Sequence, residues 1–179
     1  MPRTVVWAGR LAFAVGEVLL IQQYVERGTA WHGLIHSLTG FAAGLTVAAI
    51  LSAATKKPTR GLGWAAVGQV ISVAPDVLYI ARDLPHKEWM DAFLGHIAVH
   101  TAWAPVLLTF GYFIAAGWAW WLVSAVDRRT TGVALALAAS AIFAVALVNA
   151  DPIPSRLVDF APAGAEESTA YAAALICRR

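Results

Sequence analysis

The sequence predicts an all-α integral membrane protein, a bundle of five transmembrane helices. Of its 179 residues, 59% are hydrophobic and 13% are charged, whereas an average soluble domain is roughly 45–50% apolar and about 25% charged. The mean hydropathy of +0.65 points the same way. A soluble globule of this size would expose too much apolar surface, which excludes a soluble enzyme and a disordered chain. Because one span takes about 20 residues, the length accommodates five helices joined by short loops.

Five apolar segments define the predicted helices, and the fourth lies within a longer apolar stretch, residues 92–126. As one helix, that stretch would measure about 52 Å at 1.5 Å per residue, well beyond a hydrocarbon core of about 30 Å. We therefore place its membrane part at 102–126, with 92–101 projecting above it and Pro105 as a kink between the two. The predicted spans are 5–22, 33–54, 62–81, 102–126 and 131–150.

The charges of the loops predict the orientation. Basic residues precede the first span and follow the second and fourth spans, and the positive-inside rule makes that side cytoplasmic. Tryptophans fall near both ends of the spans, as two aromatic belts require. We therefore predict a multi-pass protein of the inner (plasma) membrane, surrounded by lipid, with a cytoplasmic N-terminus. The basic residues are Arg3, Lys56, Lys57, Arg60, Arg128 and Arg129.

Residues 151–179 differ in composition from the rest of the chain. Prolines, a glycine and several acids indicate an exposed loop, and the apolar residues 168–177 are too few to cross a membrane. We predict a short helix there, on the membrane surface or packed on the bundle. The single cysteine, Cys177, excludes an internal disulfide and a cysteine-based metal site. The net charge of +2, with its cations scattered, excludes nucleic acid as a partner.

Histidines are concentrated on the predicted outer side of the membrane. His32 and His36 lie one turn apart at the start of the second helix and share a face. His96 and His100 repeat this spacing before the fourth span. Asp76 follows a proline in the last turns of the third helix, at about the same depth. Three helices are therefore expected to bring four imidazoles and one carboxylate together near the outer headgroups.

This group of side chains predicts a metal site. Ionisable groups at membrane depth are costly and mark functional sites. Imidazole nitrogens with one carboxylate oxygen suit zinc, iron, manganese or nickel, whereas calcium and magnesium prefer oxygen ligands. We expect a divalent transition metal, with zinc the first choice. The candidate ligands are His32, His36, Asp76, His96 and His100.

Two further carboxylates are candidate catalytic groups. A metal with an open coordination position lowers the pKa of a bound water to about 7, and a neighbouring carboxylate can then accept the proton. Asp91, five residues before His96, and Glu17, in the first helix, are placed to do so. Glu17 also lies two turns after Arg10 on the same helix face, and this spacing favours an ion pair between them as the structural alternative.

Three stretches of the chain have the order of motifs of a known family. They are Ile35-His36-Ser37-Leu38-Thr39-Gly40, then Ala74-Pro75-Asp76, and then a histidine-rich segment from His86 to His100. Over residues 30–105 the chain resembles the bacterial inner-membrane metal-dependent hydrolases that include the LexA-regulated members. The family's later His-Arg-Gly and Thr-His-Ser motifs are replaced here by His86-Lys87-Glu88 and Gly95 to His100. The resemblance implies a metal site formed by His36, Asp76, His96 and His100.

The predicted function is a membrane-embedded, metal-dependent hydrolase acting on a lipid or lipid-linked ester or phosphoester near the outer leaflet. A serine mechanism is disfavoured, because Ser37 points about 100° away from His36 around the helix. One alternative is a haem-binding electron-transfer protein, in which His36 and His100 would be the axial ligands. Another is a non-catalytic membrane subunit whose histidines only form hydrogen bonds. The oligomeric state is left open.

Overall fold

A computed structural model of the chain describes residues 3–26, 30–82 and 88–150, and this part is all-α. A short 3-10 helix, Glu88–Ala92, lies between the third and fourth α-helices. The predicted surface helix within 151–179 lies outside the described residues. The α-helices are α1 (Arg3–Glu26), α2 (Ala30–Thr55), α3 (Gly61–Arg82), α4 (Ala98–Thr101), α5 (Pro105–Ser124) and α6 (Arg129–Val148).

Five of these helices are long and apolar enough to cross a membrane, so the predicted all-α bundle with five spans is confirmed. The first span, in α1, is the one least covered by the rest of the chain, and its large apolar side chains are exposed. An apolar exterior of this kind suits a helix whose solvent is lipid. The spans are Thr4–Glu26, Ala30–Thr55, Gly61–Leu78, Pro105–Ser124 and Arg129–Val148.

Helix α2 forms the centre of the bundle and packs against α3, α5 and α6. Its crossing with α3 is close because glycines face each other there. A Cβ atom on Gly68 would overlap the carbonyl oxygen of Gly40, and one on Gly44 would overlap the carbonyl of Trp64. Small residues at such contacts let two membrane helices approach to backbone distance. The crossing therefore holds α3 directly against the histidine-bearing face of α2.

The segment before α5 differs from the prediction. Pro105 does not kink a helix but begins one, at the first helical position, where its missing N–H is tolerated. Ala104 has a left-handed φ of 47° and separates α5 from α4. Helix α4 packs against α5 and α6, and Val99 within it is fully buried. Residues 98–101 are therefore a separate short helix packed against the bundle and do not continue α5.

The close α2–α3 crossing can be tested with Gly68→Ala. The added methyl group must push the two backbones apart, and we expect the free energy of unfolding in detergent to fall by about 1–3 kcal/mol. Gly16→Ala, in α1, is the matched control, because a Cβ atom at Gly16 would meet no heavy atom within 4 Å. We expect that control to be neutral or stabilised by up to about 1 kcal/mol. Equal stability of the two variants in denaturant titrations followed by circular dichroism would contradict the close crossing.

Candidate metal centre

Four side chains from three segments meet at one end of the bundle. Helix α2 supplies His32 and His36 in its first two turns, α3 supplies Asp76 near its end, and the turn before α4 supplies His96. One potential ligand atom from each lies within 4.8 Å of every other. Each of the four residues is at most 3% exposed. The structure thus brings together four of the five predicted ligands as one buried group that can hold a metal ion.

The Asp76 carboxylate is the centre of this group. Its Oδ1 lies 3.0 Å from Nε2 of His32 and 3.2 Å from Nε2 of His96. Its Oδ2 accepts a hydrogen bond from the hydroxyl of Tyr24, on α1. A carboxylate in an apolar interior is strongly destabilising unless it is paired and hydrogen-bonded. Both carboxylate oxygens therefore have partners, which compensate the negative charge or orient the carboxylate.

The hydrogen bonding of His96 fixes its tautomer. Its Nδ1 lies 3.0 Å from the carbonyl oxygen of Ser72, which can only accept, so Nδ1 carries a proton. In a neutral ring, Nε2 then presents a lone pair to the Asp76 oxygen 3.2 Å away. Two acceptors that face each other at this distance repel unless a cation, either a metal ion or a second ring proton, lies between them. A histidine whose far N–H bonds a backbone carbonyl has the arrangement usual for metal ligands.

His100 extends the group on its more exposed side. Its Nε2 lies 2.9 Å from Nε2 of His36, and its ring stacks on that of His32 with centroids 4.3 Å apart. The rings of His36 and His96 are stacked in the same way, at 3.8 Å. His100 is half-buried, and the edge of its ring meets the exposed Trp31. All five predicted ligands therefore belong to one connected cluster, in which His100 lies at the rim and contacts His32 and His36.

The shortest spacings in this cluster match those between ligands of one ion, and the potential ligand atoms of His32, His36, Asp76 and His96 all lie within 4.8 Å of one another. Donor atoms held about 2.0–2.1 Å from a metal lie about 3.0 Å apart at right-angled positions and about 3.4 Å apart in a tetrahedron. The contacts around Asp76 and between His36 and His100 measure 2.9–3.2 Å. Three or four imidazoles with one carboxylate form a donor set for a transition metal and not for calcium. The geometry does not select one metal among these.

Asp91, one of the two predicted catalytic carboxylates, bonds to the backbone. Its Oδ1 accepts the N–H groups of Ile97 and Ala98, at 2.6 and 2.9 Å. These are N–H groups at the start of α4, which have no partner within the helix. Since His96 directly precedes them, the Asp91 carboxylate fixes the backbone that carries this ligand.

Glu17, the other predicted catalytic carboxylate, lies away from the cluster in the middle of α1. Its Oε2 accepts a hydrogen bond of 2.9 Å from Nε2 of Gln69, on α3. The alternative pairing with Arg10 is wrong, because the guanidinium of Arg10 lies over the Trp7 ring, 5.1 Å from its centroid. Tyr24 and Glu17 are seven residues apart on α1, so Glu17 lies about 10 Å deeper along the helix. Among the described residues, Glu17 is not one of those whose potential ligand atoms group with Asp76.

Sequence reasoning missed the contributions of Tyr24 and Ser72. Tyr24 is 5% exposed, although nearly all the described residues of α1 are open to their surroundings. Its ring covers Gly33, where a Cβ would overlap it. One signal was present in the sequence, since Tyr24 and Glu17 lie seven residues apart and share one face of α1. The fifth histidine, His86, lies outside the described residues.

Searches of family models, of curated proteins and of solved structures found no match to this chain. The resemblance to metal-dependent hydrolases therefore stays a prediction, and the cluster itself is the basis for a functional proposal.

The metal centre predicts a stoichiometric ion in the purified protein. We expect mass spectrometry to find about one transition-metal ion per chain and Asp76→Ala to lose it, because the variant lacks the carboxylate that compensates the charge. Asp127→Asn is the matched control, since that carboxylate is exposed and pairs with Arg129. A folded wild-type protein that stays free of metal after dialysis against zinc, iron or manganese would contradict the assignment.

The role of Tyr24 can be separated from that of the ligands by Tyr24→Phe, which keeps the ring on Gly33 and removes only the hydroxyl. We expect metal affinity to fall about 10–100-fold, as for other groups that orient a ligand. Tyr112→Phe is the matched control, because that buried hydroxyl bonds Ser140 and Thr46 instead. Competition titrations with a chromophoric chelator measure both affinities. An unchanged affinity in Tyr24→Phe would show that the hydroxyl does not orient Asp76.

Proposed function

We propose that this protein is a membrane-embedded, metal-dependent hydrolase of a lipid or lipid-linked ester or phosphoester. The observation that carries the proposal is the opposition of His96 Nε2 and Asp76 Oδ1, 3.2 Å apart, within a group of donors suited to a transition metal. When bound, such a metal polarises the scissile group and lowers the pKa of a bound water.

The position of the cluster supports a lipid substrate. His32 and His36 lie in the first two turns of one span, and Asp76 is two residues from the end of another. Span ends lie near the headgroups, which is the depth of the ester and phosphoester groups of lipids. We place this level at the outer leaflet, following the loop charges. A lipid reaches it by lateral diffusion, without leaving the membrane.

The burial pattern supports one direction of approach. His32, His36, Asp76 and His96 are almost fully buried, whereas His100 is only half-buried. A substrate therefore approaches on the His100 side, beside Trp31. There His100 hydrogen-bonds His36 and can hold or pass a proton at its Nε2, as histidines do in general acid–base catalysis. The contacts of Asp91 with the α4 backbone assign it a positioning role.

The haem alternative conflicts with the contacts of its proposed ligands. Two axial nitrogens on opposite sides of one iron lie about 4 Å apart, given metal–nitrogen bonds of about 2.0 Å, with a flat macrocycle between them. Nε2 of His36 and Nε2 of His100 are 2.9 Å apart and in direct contact, and His36 stacks on His96. We therefore expect the purified protein to show no Soret band.

The proposal is tested by lipid turnover. Full-length protein is incubated with vesicles made from the total lipids of its host membrane, and released headgroups and fatty acids are measured by mass spectrometry. We expect release that stops when a chelator removes the metal, resumes when zinc is restored and is lost in Asp76→Ala. Asp127→Asn, away from the site, is expected to retain activity. A metal-loaded protein that releases nothing would favour the non-catalytic subunit.

A further inference from the structure

A second group of polar side chains lies deeper in the bundle than the metal centre. Gln69, on α3, is fully buried and donates both N–H groups of its amide, to Glu17 on α1 and to Ser37 on α2, each at 2.9 Å. Thr39, on α2, is 1% exposed. Glu17, Thr39 and Gln69 fall near the middle of their spans. We call Glu17, Ser37, Thr39 and Gln69 the deep polar layer.

The deep polar layer is in register with the metal centre. Tyr24 and Glu17, Asp76 and Gln69, and His32 and Thr39 are pairs of residues seven positions apart, one pair on each of α1, α2 and α3. Seven residues are nearly two turns, so each pair shares a helix face to within about 20°. Each separation spans about 10 Å along the helix. Three neighbouring helices thus repeat the same polar face at two depths.

Buried polar atoms without partners lie in the deep polar layer and, at Ser72, between that layer and Asp76 along α3. Among the described residues, Oε1 of Gln69, Oγ1 of Thr39 and Oγ of Ser72 are buried and make no hydrogen bond. Ser72 lies between Gln69 and Asp76 on α3, and its carbonyl oxygen already accepts the proton of His96. Each unsatisfied buried group costs about 1–3 kcal/mol. Buried water commonly satisfies such groups, where several polar partners line one space.

We propose that the deep polar layer is a proton site of the metal centre, with Glu17 as its acceptor. A proton released at the centre moves along water held by Ser72, Thr39 and Gln69. At the end of this chain an O–H bond forms on Glu17 as one on the neighbouring water breaks, so atoms and charge balance without an oxidant. This inference rests on the metal centre of the proposed function. It makes Glu17 a proton-relay residue that never touches the substrate.

The surroundings of Glu17 suit this role. It bonds the uncharged Gln69, which in turn bonds Ser37. The titratable or charged groups on its own helix face are Tyr24, whose hydroxyl donates to Asp76, and Arg10, whose guanidinium lies over the Trp7 ring. An ionised carboxylate at this depth is costly, so accepting a proton relieves that cost. A purely structural link between α1 and α3 would need the Gln69–Glu17 bond alone. It would not need the unpartnered groups of Thr39, Gln69 and Ser72.

The experiment is metal-induced infrared difference spectroscopy of the full-length protein in detergent, with zinc as the probe. Zinc binding deprotonates ligands and water, so we expect the wild type to gain the carbonyl band of a protonated carboxyl group, shifted in D2O. Glu17→Gln, which keeps an acceptor for Gln69, is expected to lack this band. The matched control is Glu26→Gln, on the same helix, whose carboxylate is exposed and bonds Gln22 and Gln23. It is expected to keep the band.

A second variant tests the connection without changing Glu17. Thr39→Val combined with Ser72→Ala removes two of the three unpartnered groups, both hydroxyls, and leaves every metal-binding side chain in place. We expect this variant to bind zinc in full and to lose the carboxyl band. Full zinc binding by the wild type without a carboxyl band, or a band that survives Glu17→Gln, would overturn the proton site and leave the metal centre intact. Failure of the wild type to bind zinc would overturn both.

Discussion

The burial of the Asp76 carboxylate is the constraint on which the rest of the structure depends. A negative charge within a membrane bundle must be compensated where it lies, and Asp76 is 3% exposed. Its two oxygens are therefore met by Tyr24 from α1, His32 from α2 and His96 from the segment before α4. Bonds to the Asp76 side chain therefore help to position α1, α2 and the segment before α4. Helix α1, most of whose described side chains are exposed, is the clearest case.

Backbone packing brings that carboxylate to the histidines. Glycines at the α2–α3 crossing let α3 approach until side chains at its end reach the first turns of α2. Gly33 similarly lets α1 approach α2, because the Tyr24 ring occupies the space that a Cβ on Gly33 would fill. The polar contacts thus depend on glycines, which have no functional side chain. At this end of the bundle, the small residues allow the close approach that brings the ionisable residues together.

The sequence predicted the features that follow from a single helix, and it missed the contacts that depend on how two helices are rotated against each other. Apolar length predicts the spans, and spacing predicts that His32 and His36 share a face, because both follow from a single helix. The partners of Glu17 and Tyr24 depend on how α1 is rotated against α3. Because α1 also carries Gln22 and Glu26 on the face opposite Glu17 and Tyr24, its pattern does not show which face meets α3. The error at Pro105 has a similar cause, since a proline that begins a helix and one that kinks it can have the same local sequence.

In the function proposed above, the two polar layers divide the demands of hydrolysis in a membrane. A metal centre must be reachable by a lipid headgroup, and the half-buried His100 beside Trp31 provides an edge of that kind. A proton acceptor at the same edge would compete with water and with the substrate for the metal. Glu17 lies about 10 Å deeper and is joined to α3 only through the amide of Gln69 among its described contacts, so it can accept a proton without binding the ion. Two helical turns separate Glu17 from the metal centre. The shared helix faces place the deep polar layer directly below that centre.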